Sequence, residues 1–431
     1  MKASKYNYII PYGDKQYIFF NGITKRFFLV SDENVGKFKE IVDNPNTEVN
    51  VSKYSFFLDR MKAEGFILED DVDEMSLISE EFERQRTPSR YMLMVLPTYR
   101  CNLNCWYCVQ EHRDVDITDE IARRIKTHIK KYLSSSGVKH FRLSWFGGEP
   151  LLAYERIREI TEFSQSFCKG HSVEFSCDIT TNGLLLSPDR IADLSSLGVL
   201  SYQITIDGCR EKHNLVKRSE EGTAFDVAVN NVLGIVRNAP GAECILRINY
   251  SDKTLEPAQI MHDVNQLIPP EYRERITIAP YKIWQVEDSK IRYEKVVELN
   301  RIAHRKNYRI HPLCGSLCYA DGVHYNCFFP NGRVGKCDNA RMEDANGVLT
   351  DTGEIIWTLP NAFESHLALS NNSECVNCKY LPFCMGPCPA KRTDMLASSG
   401  KITCQYPEGD KERIVRDFIL RYCKNRITQE Q

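Results

Sequence analysis

Three cysteines within eight residues constrain this chain more than any other feature of its sequence. Cys101, Cys105 and Cys108 follow the spacing C-x3-C-x2-C, and the aromatic Tyr107 directly precedes the third cysteine. Three thiolates this close on one loop can hold three irons of a [4Fe–4S] cluster. The fourth iron then has no protein ligand, and an open coordination position on a metal is where chemistry occurs. A zinc knuckle or three buried thiols are the alternatives, but the spacing with its aromatic residue favours the cluster.

The chain has seventeen cysteines in 431 residues, which is a high count for a reducing compartment. We expect a cytoplasmic protein, because Pro11 and Gly13 interrupt the apolar start and no apolar run could span a bilayer. Disulfides are then not the explanation, and spaced cysteine groups indicate metal or clusters instead. Six cysteines stand apart and are expected to be small buried hydrophobes: Cys168, Cys177, Cys209, Cys244, Cys327 and Cys423. A net charge of −2 gives no electrostatic case for nucleic acid or an anionic membrane as a partner.

Strand and helix patterns alternate through the middle of the chain, residues 89–285. Apolar runs predict strands at 91–96, 141–145, 173–179, 199–206, 244–249 and 276–283. Amphipathic patterns between them predict helices at 117–133, 151–167, 188–196, 224–237 and 257–267. This alternation predicts a parallel, barrel-like α/β domain, in which active sites lie at the carboxyl ends of the strands.

Polar motifs follow these strand ends. Gly147-Gly148-Glu149-Pro150 comes after the second strand, where glycines allow a close backbone approach and the proline holds Glu149 extended, suited to accept from an ammonium group. Thr181-Asn182-Gly183 ends the third strand. Thr205 and Asp207 share one face of the fourth strand with Gln203, and Arg247 and Asn249 lie similarly on the fifth. An ordinary strand-to-helix turn and ordinary hydrogen bonding inside a barrel are the alternatives.

Together these motifs resemble the radical S-adenosylmethionine (radical SAM) superfamily. The resemblance implies an open, partial (β/α)6 barrel, with the cofactor's amino and carboxylate groups on the open iron of the cluster. It also implies cofactor contacts from Tyr107, Gly147, Gly148, Glu149, Pro150, Thr181, Asn182, Thr205, Asp207 and Arg247. Thr205 departs from the serine of the family's S-x-D-G strand end. His213 and Arg218 match its DG…H…R loop, and we expect them to order that loop.

A second cysteine field occupies residues 310–431 and resembles the SPASM domain of peptide- and protein-modifying radical SAM enzymes. The resemblance implies two further [4Fe–4S] clusters, three in all. The first takes Cys314, Cys318, Cys337 and Cys388; the second takes Cys375, Cys378, Cys384 and Cys404. Two alternatives stay open: Cys327 in place of Cys314 or Cys318, and zinc at the C-x2-C-x5-C-x3-C run.

The first 88 residues predict small strands at 6–10, 16–20 and 26–30, helices at 34–42 and 51–64, and a short strand at 66–68. With the acidic stretch that follows, this winged-helix-like unit resembles leader-peptide recognition modules fused to peptide-modifying radical SAM enzymes. Such modules bind an extended peptide by adding it to an exposed sheet edge. The alternative is a structural cap over the barrel mouth. Residues 286–309 are expected to form a helical bridge to the C-terminal domain.

The resemblance implies reductive cleavage of S-adenosylmethionine to a 5′-deoxyadenosyl radical, which abstracts hydrogen while the protein supplies position and exclusion of water. The predicted function is maturation of a ribosomally made precursor peptide by a thioether, C–C or C–O crosslink, with flavodoxin or ferredoxin as low-potential electron donor. The alternative is oxidation of Cys or Ser to formylglycine, as in sulfatase maturases, with Asp338 after Cys337 as base. A turn-capping role is the alternative for Asp338. A non-enzymatic electron-transfer protein is disfavoured, because the cysteine and GGEP motifs are intact.

Overall fold

A computed structural model describes residues 1–218, 222–251, 253–283, 285, 293–311, 317–358, 373–406 and 409–427. The described chain divides into two compact units. The first unit comprises the described residues of Met1–Thr87, Pro312–Gly322 and Phe363–Gln431. The second comprises those of Pro88–His311 and Val323–Ala362. Both ends of the sequence therefore contribute to one unit, and the middle of the sequence forms the other.

The N-terminal segment of the first unit is a small α/β arrangement. Its elements are β1 (Lys2–Ala3), β2 (Asn7–Tyr12), β3 (Gln16–Asn21), β4 (Phe27–Ser31), α1 (Asp32–Asp43), α2 (Glu48–Lys53), α3 (Ser55–Ala63), β5 (Ile67–Leu68) and α4 (Glu74–Arg86). Strands β2, β3 and β4 form an antiparallel sheet in that order, and β1 pairs with β5. The predicted strands are confirmed. Whether this segment is a winged-helix recognition unit stays a prediction.

Two details of this segment differ from the sequence prediction. The helix predicted at 51–64 is two helices, because the backbone leaves helical geometry at Tyr54 (φ −123°, ψ 24°), which ends α2 and precedes α3. Helix α4 was not predicted, and the acidic stretch in fact leads into it. Its N-cap is Asp73, whose carboxylate accepts a hydrogen bond from the Met75 amide, as acidic caps do.

Six parallel strands with helices between them form the centre of the second unit. They are β6 (Arg90–Val95), α5 (Asp119–Ser135), β7 (His140–Trp145), α6 (Tyr154–Gly170), β8 (Glu174–Thr181), α7 (Pro188–Ser196), β9 (Val199–Ile206), α8 (Arg210–Lys217), α9 (Ala224–Asn238), β10 (Glu243–Tyr250), α10 (Pro257–Leu267) and β11 (Ile276–Lys282). Neighbouring strands pair in parallel in sequence order. The predicted parallel α/β arrangement is confirmed; helix α8 was not predicted.

Local sequence explains where these helices begin and which face they bury. Helix α5 begins after Thr118, whose hydroxyl accepts from the Ile121 amide at 3.3 Å, as the side chain of an N-cap threonine does. Ile121, Ile125 and Ile129, spaced four residues apart, are all buried on one face of that helix. Helix α5 therefore packs through one regular apolar stripe.

The sheet continues on both sides of the six strands. After α11 (Tyr293–Arg305), β12 (Arg309–Ile310) pairs in parallel with β11. Beside β6 lies the parallel strand β13 (Tyr325–Phe328), followed by the antiparallel strands β14 (Arg333–Gly335), β15 (Gly347–Leu349) and β16 (Ile355–Trp357). Residues within the predicted SPASM segment thus extend this sheet. The SPASM identity and the four-domain division stay predictions.

Three C-terminal helices complete the first unit: α12 (Leu381–Cys384), α13 (Pro389–Ser399) and α14 (Asp410–Ile427). Its core joins the two ends of the chain, because Tyr8 and Phe20 pack with Leu381, Phe383 and Ile419. In the described ranges, no helix is both long enough and apolar enough to cross a membrane.

Candidate functional site

A cavity opens at the carboxyl ends of all six parallel strands. It encloses about 920 Å³, part of it open to solvent. The loop after β6, the loop after β7 and the ends of β8, β9, β10 and β11 all contribute to its wall. The sequence-predicted residues that line it are Cys101, Cys105, Tyr107, Cys108, Gly147, Gly148, Thr181, Asn182, Thr205 and Arg247.

Four of the residues predicted to contact the cofactor or to act as the base do not line this cavity. Glu149 and Asp207 are fully buried behind its wall, and Pro150 is buried beside Glu149. Asp338 is 7% exposed; its backbone carbonyl accepts from the Gln110 amide group at 3.0 Å, and the next residue, Asn339, lines the cavity. The Asp338 carboxylate is therefore near the site along the chain without forming part of its wall.

The two glycines after β7 hold the cysteine loop by direct backbone contact. The Gly148 amide donates to the Thr98 carbonyl at 3.1 Å, and the Glu149 amide donates to the Arg100 carbonyl at 2.8 Å. A Cβ on Gly148 would lie 2.1 Å from the Arg100 carbonyl oxygen, and one on Gly147 would lie 2.5 Å from the Thr98 oxygen. From the sequence we expected a ligand to approach these glycines, and that stays a prediction; in the structure the backbone that carries the cysteines approaches them closely.

Glu149 connects the loop after β7 to the end of β8. Its carboxylate accepts from the Thr181 hydroxyl at 2.7 Å, the Asn182 amide at 2.8 Å and the Leu151 amide at 3.1 Å. Burial raises the pKa of this carboxyl, although these donors act in the opposite direction. The expectation that Glu149 accepts from a cofactor ammonium stays a prediction, since its contacts here are to the chain itself.

The end of β8 also reaches the cysteine loop through a side chain. The Asn182 side-chain amide donates to the side-chain oxygen of Asn102 at 2.7 Å, and its own oxygen accepts from the Leu184 amide at 3.0 Å. Asn102 directly follows Cys101 in the sequence. Asn182 therefore both turns the chain after β8 and fixes the loop next to its first cysteine.

A buried polar network behind the cavity wall centres on Asp207. The Tyr107 hydroxyl donates to its carboxylate, and the Asn249 side-chain amide donates to that hydroxyl oxygen at 3.0 Å. The Lys217 Nζ lies 3.2 Å from the Asp207 Oδ2, and the His213 Nδ1 lies 3.5 Å from it. Burial alone would raise the pKa of Asp207, but the Lys217 ammonium and the donors lower it to about 2.

His213 enters this network as a neutral ring. Its Nδ1 accepts from the Asp207 backbone amide at 3.1 Å, which requires an unprotonated nitrogen. Burial lowers the pKa of His213, and the nearby Asp207 carboxylate does not fully offset that effect. His213 therefore orders the turn after β9, as the sequence predicted for it.

Lys217 is the functional candidate that the sequence argument missed. Arg218 was expected to order the loop, but it is exposed and ends α8 in a left-handed conformation (φ 47°). The preceding Lys217 is 5% exposed, and its Nζ lies 3.4 Å from the Cys105 Sγ. The spacing of four between His213 and Lys217 would have put both on one helical face, but α8 itself was not predicted.

The residues around the cavity fit a [4Fe–4S] cluster held by three thiolates. Cys101 and Cys105 are half-buried and Cys108 is exposed. Burial, together with the neighbouring Glu149, Cys105 and Cys108, raises the pKa of Cys101 to about 11. The described lining carries the cations Lys217, Arg247 and Lys282 and no carboxylate, which suits an anionic thiolate cluster. In the part of the chain that the structure describes, no three Cys, His, Asp or Glu side chains are grouped so as to hold a single metal ion.

Two further polar side chains, His112 and Gln110, line the cavity. The His112 Nε2 lies 3.2 Å from the Cys108 Sγ. The side-chain oxygen of Gln110 is buried at the cavity wall and has no hydrogen-bond partner among the described residues. A buried acceptor without a donor is costly, so the wall retains unused capacity to bind a ligand donor.

The cysteines predicted for the second auxiliary cluster lie together in the first unit. Burial raises the pKa of Cys384 to about 11, and the neighbouring Cys375, Cys404 and Cys378 add to this rise. The Lys411 Nζ lies 3.8 Å from the Cys378 Sγ. Of the set predicted for the first auxiliary cluster, Cys314 lies outside the described residues, Cys318 and Cys388 belong to the first unit and Cys337 to the second. Cys327 is fully buried among apolar side chains on β13.

Part of the chain that carries this site is similar to known proteins. The family model described as the radical SAM superfamily matches residues 95–238. The GTP 3′,8-cyclase of Clostridium perfringens is 35% identical over 127 residues, which are 28% of this chain and 35% of that protein. Molybdenum cofactor biosynthesis protein 1 of Dictyostelium discoideum is 27% identical over 188 residues, 42% of this chain and 27% of that protein. The chain thus spans about a third of the length of these curated relatives.

Among solved structures, native anSMEcpe with bound AdoMet matches with a TM-score of 0.57 and 16% sequence identity. The match covers 79% of this chain and 100% of that chain. At this identity the likeness shows a shared fold, and it extends well beyond the six parallel strands.

Proposed function

Residues 95–238 form a radical SAM domain, the domain of a superfamily of enzymes that catalyse radical reactions, and from this premise we propose that the chain modifies a ribosomally made precursor peptide. The proposed reaction forms a side-chain crosslink, of the thioether, C–C or C–O type. The observation that carries the proposal is the cavity at the strand ends, where the three closely spaced thiols meet polar side chains from the ends of β8, β9 and β10.

Cys101, Cys105 and Cys108 are proposed to hold the cluster whose fourth iron receives S-adenosylmethionine. When bound, this pair supplies a 5′-deoxyadenosyl radical for hydrogen abstraction. Thr205 and Arg247 face the cavity from β9 and β10 and are proposed to orient the cofactor. Arg247 is held in place by its bond to the Asn249 side-chain oxygen at 2.9 Å and by the Tyr281 ring 4.3 Å beneath it. A held side chain positions a ligand at a lower entropic cost.

The remaining cysteine sets are proposed to bind two fully ligated auxiliary clusters that accept the electron released when a substrate radical is oxidised. The electrostatic coupling among Cys375, Cys378, Cys384 and Cys404 supports the second of these sets. A low-potential donor, flavodoxin or ferredoxin, is the proposed source of the electron that starts each turnover.

The proposal of a peptide substrate rests on the edge of the N-terminal sheet. Within residues 1–87, β4 pairs with β3 on one side and with no strand on the other. An open edge can receive an extended peptide as an additional strand. The anSMEcpe protein has itself been solved with bound AdoMet and the Cp18Cys peptide. A second candidate, oxidation of Cys or Ser to formylglycine, is favoured by Asp338, which follows Cys337 and adjoins the cavity-lining Asn339.

The test is anaerobic turnover with small peptides encoded in the reading frames next to the gene, taken as candidate precursors. We expect 5′-deoxyadenosine and a peptide lighter by two hydrogens, with neither formed when Cys101, Cys105 and Cys108 are all replaced by Ala. Cys168→Ala, which removes a buried thiol on α6, is the matched control and should keep both products. A triple variant that still makes 5′-deoxyadenosine contradicts the cluster assignment. A hydrazine-reactive aldehyde on a sulfatase-type peptide, and no change in the precursor, would favour the second candidate.

A further inference from the structure

Lys217 is a buried cation at the end of α8, inside the radical SAM domain. Only 5% of it is exposed, whereas the neighbouring Arg218 faces solvent. Burying an ammonium group is costly unless it is paired and hydrogen-bonded. Lys217 has two such partners: the Asp207 Oδ2 at 3.2 Å and the Cys105 Sγ at 3.4 Å. A lysine that only made the surface soluble or favoured the helix would not need to be buried between a carboxylate and a thiol, so we looked for a role in these two contacts.

The Asp207 side of this arrangement is fixed independently of the lysine. Asp207 is fully buried, and its carboxylate accepts from the Tyr107 hydroxyl, which in turn accepts from Asn249. Tyr107 lies between Cys105 and Cys108 in the sequence. The carboxylate thus sets the position of the loop through Tyr107 and the position of the ammonium through the ion pair. As a result the Lys217 Nζ is directed at one particular thiol, that of Cys105.

We propose that Lys217 is a positioning residue for the radical SAM cluster, whose ammonium donates a hydrogen bond to the Cys105 thiolate and favours the reduced state of the cluster. The inference rests on the proposed function, since it requires the three thiols to hold that cluster. Reduction adds one electron from the low-potential donor and one negative charge to the cluster; no bond forms or breaks, and the lysine keeps its proton.

General electrostatics gives the direction of the effect. Reduction potentials of iron–sulfur clusters depend on nearby charge, hydrogen bonds to sulfur and solvent exposure, and groups that contact the ligands tune the metal. A cation attracts the added electron and its counter-ion repels it, and both effects become weaker with distance. A cation that lies nearer to the cluster than its counter-ion therefore favours reduction. Here the ammonium contacts a ligand sulfur directly, and it does so at a buried position, where solvent screening is weak.

A purely structural role for Lys217 predicts something different. If the lysine only neutralises Asp207, its removal would affect folding or cluster loading while leaving the potential of any cluster that does form unchanged. The reduction potential therefore separates the two roles, whereas activity alone does not.

The experiment is an EPR-monitored redox titration of the full-length, anaerobically reconstituted protein. The relevant signal is the component of the reduced spectrum that is absent when Cys101, Cys105 and Cys108 are all Ala. For Lys217→Met, we expect the ratio of reduced to oxidised cluster at a fixed potential to fall about tenfold, which corresponds to a midpoint about 59 mV lower for a one-electron couple. Arg218→Gln removes an exposed cation one residue away and is the matched control, with an unchanged midpoint expected.

The outcomes separate the inference from the function on which it rests. If the wild-type protein has no component that the triple variant removes, the proposed function fails and the inference fails with it. If that component is present and Lys217→Met leaves its midpoint in place, the inference alone is overturned. Should Lys217→Met not take up the cluster, Lys217→Met/Asp207→Asn leaves no unpaired buried charge and carries the same test. A midpoint lower than that of Asp207→Asn, which removes the same negative charge, supports the inference, and an equal midpoint overturns it.

Discussion

Replacing Gly148 by alanine tests whether the loop after β7 sets the position of the cysteine loop. The added Cβ would lie 2.1 Å from the Arg100 carbonyl oxygen and 2.7 Å from that of Tyr99. Carbon–oxygen contacts need roughly 3.3 Å, so the two backbones would have to separate by about 1 Å. Both obstructing atoms belong to the backbone, and no side-chain rotation can relieve the contact.

The cost follows from what this separation would break. The hydrogen bonds from Gly148 to Thr98 and from Glu149 to Arg100 are 3.1 and 2.8 Å long and would both be lost. Two hydrogen bonds at about 1 kcal/mol each and overpacking of about 1–3 kcal/mol give a loss of about 3–5 kcal/mol in the free energy of unfolding. A shift of about 1 Å also exceeds the roughly 0.5 Å that a preorganised site tolerates.

The assay measures iron per chain after anaerobic reconstitution, together with the midpoint of thermal unfolding. We expect Gly148→Ala to lose the iron that the triple cysteine variant loses and to unfold at a lower temperature. Gly234→Ala in α9 is the control, because its Cβ would meet the Ile191 Cδ1 at an ordinary 3.5 Å and alanine favours a helix over glycine. Wild-type iron content and unfolding temperature in Gly148→Ala would refute the argument.

Two other predictions concern stability. Burial lowers the pKa of His128 from 6.5 to about 4 in the folded protein. The contribution of the neutral ring to the free energy of unfolding is therefore fully present above pH 6.5, the pKa in the unfolded chain, and decreases as the pH falls below that value. Between about pH 7.5 and 5.5 we expect a loss of about 1 kcal/mol in the free energy of unfolding, measured with denaturant, that His128→Gln does not show. In the first unit, Asp321→Asn leaves the buried Arg392 unpaired and should cost about 3 kcal/mol. Asp321→Leu/Arg392→Met should recover much of that loss, and a double variant no more stable than Asp321→Asn would contradict this account.

The sequence predicted those parts of the fold that local pattern encodes. The six parallel strands were predictable because buried strands read as apolar runs, and the helices between them show regular stripes such as Ile121, Ile125 and Ile129. The cysteine loop and the Gly147–Pro150 motif were predictable because few other kinds of site or turn combine these residue types at this spacing. That they face one cavity follows from the rule that parallel strand ends meet at one edge.

Other parts depend on contacts between residues far apart in the sequence. The strand β13 is four residues long, and its pairing with β6, more than two hundred residues earlier, cannot be read from a local pattern. Helix α8 has a largely polar sequence, so the sequence does not show which of its faces is buried. The buried face is the one that carries Lys217, whose ammonium group contacts Asp207 and Cys105. The close contact between Gly148 and the Arg100 carbonyl could not be predicted either. A glycine in a sequence shows where another group can approach the backbone closely, but not which group does so.

The cysteine loop is positioned by the ends of the parallel strands and not by its own conformation. Its described residues between Cys101 and Cys108 form no helix or strand, so their order has to come from other elements. Three strand ends provide it in three chemically different ways: backbone bonds after β7, the Asn182 amide after β8, and the Asp207 carboxylate after β9. Since these strands pair in parallel with their neighbours, a displacement of one end would be resisted by the others. Changes at these strand ends, or at the loop residues Asn102 and Tyr107 that contact them, should therefore alter the positions of the three thiols.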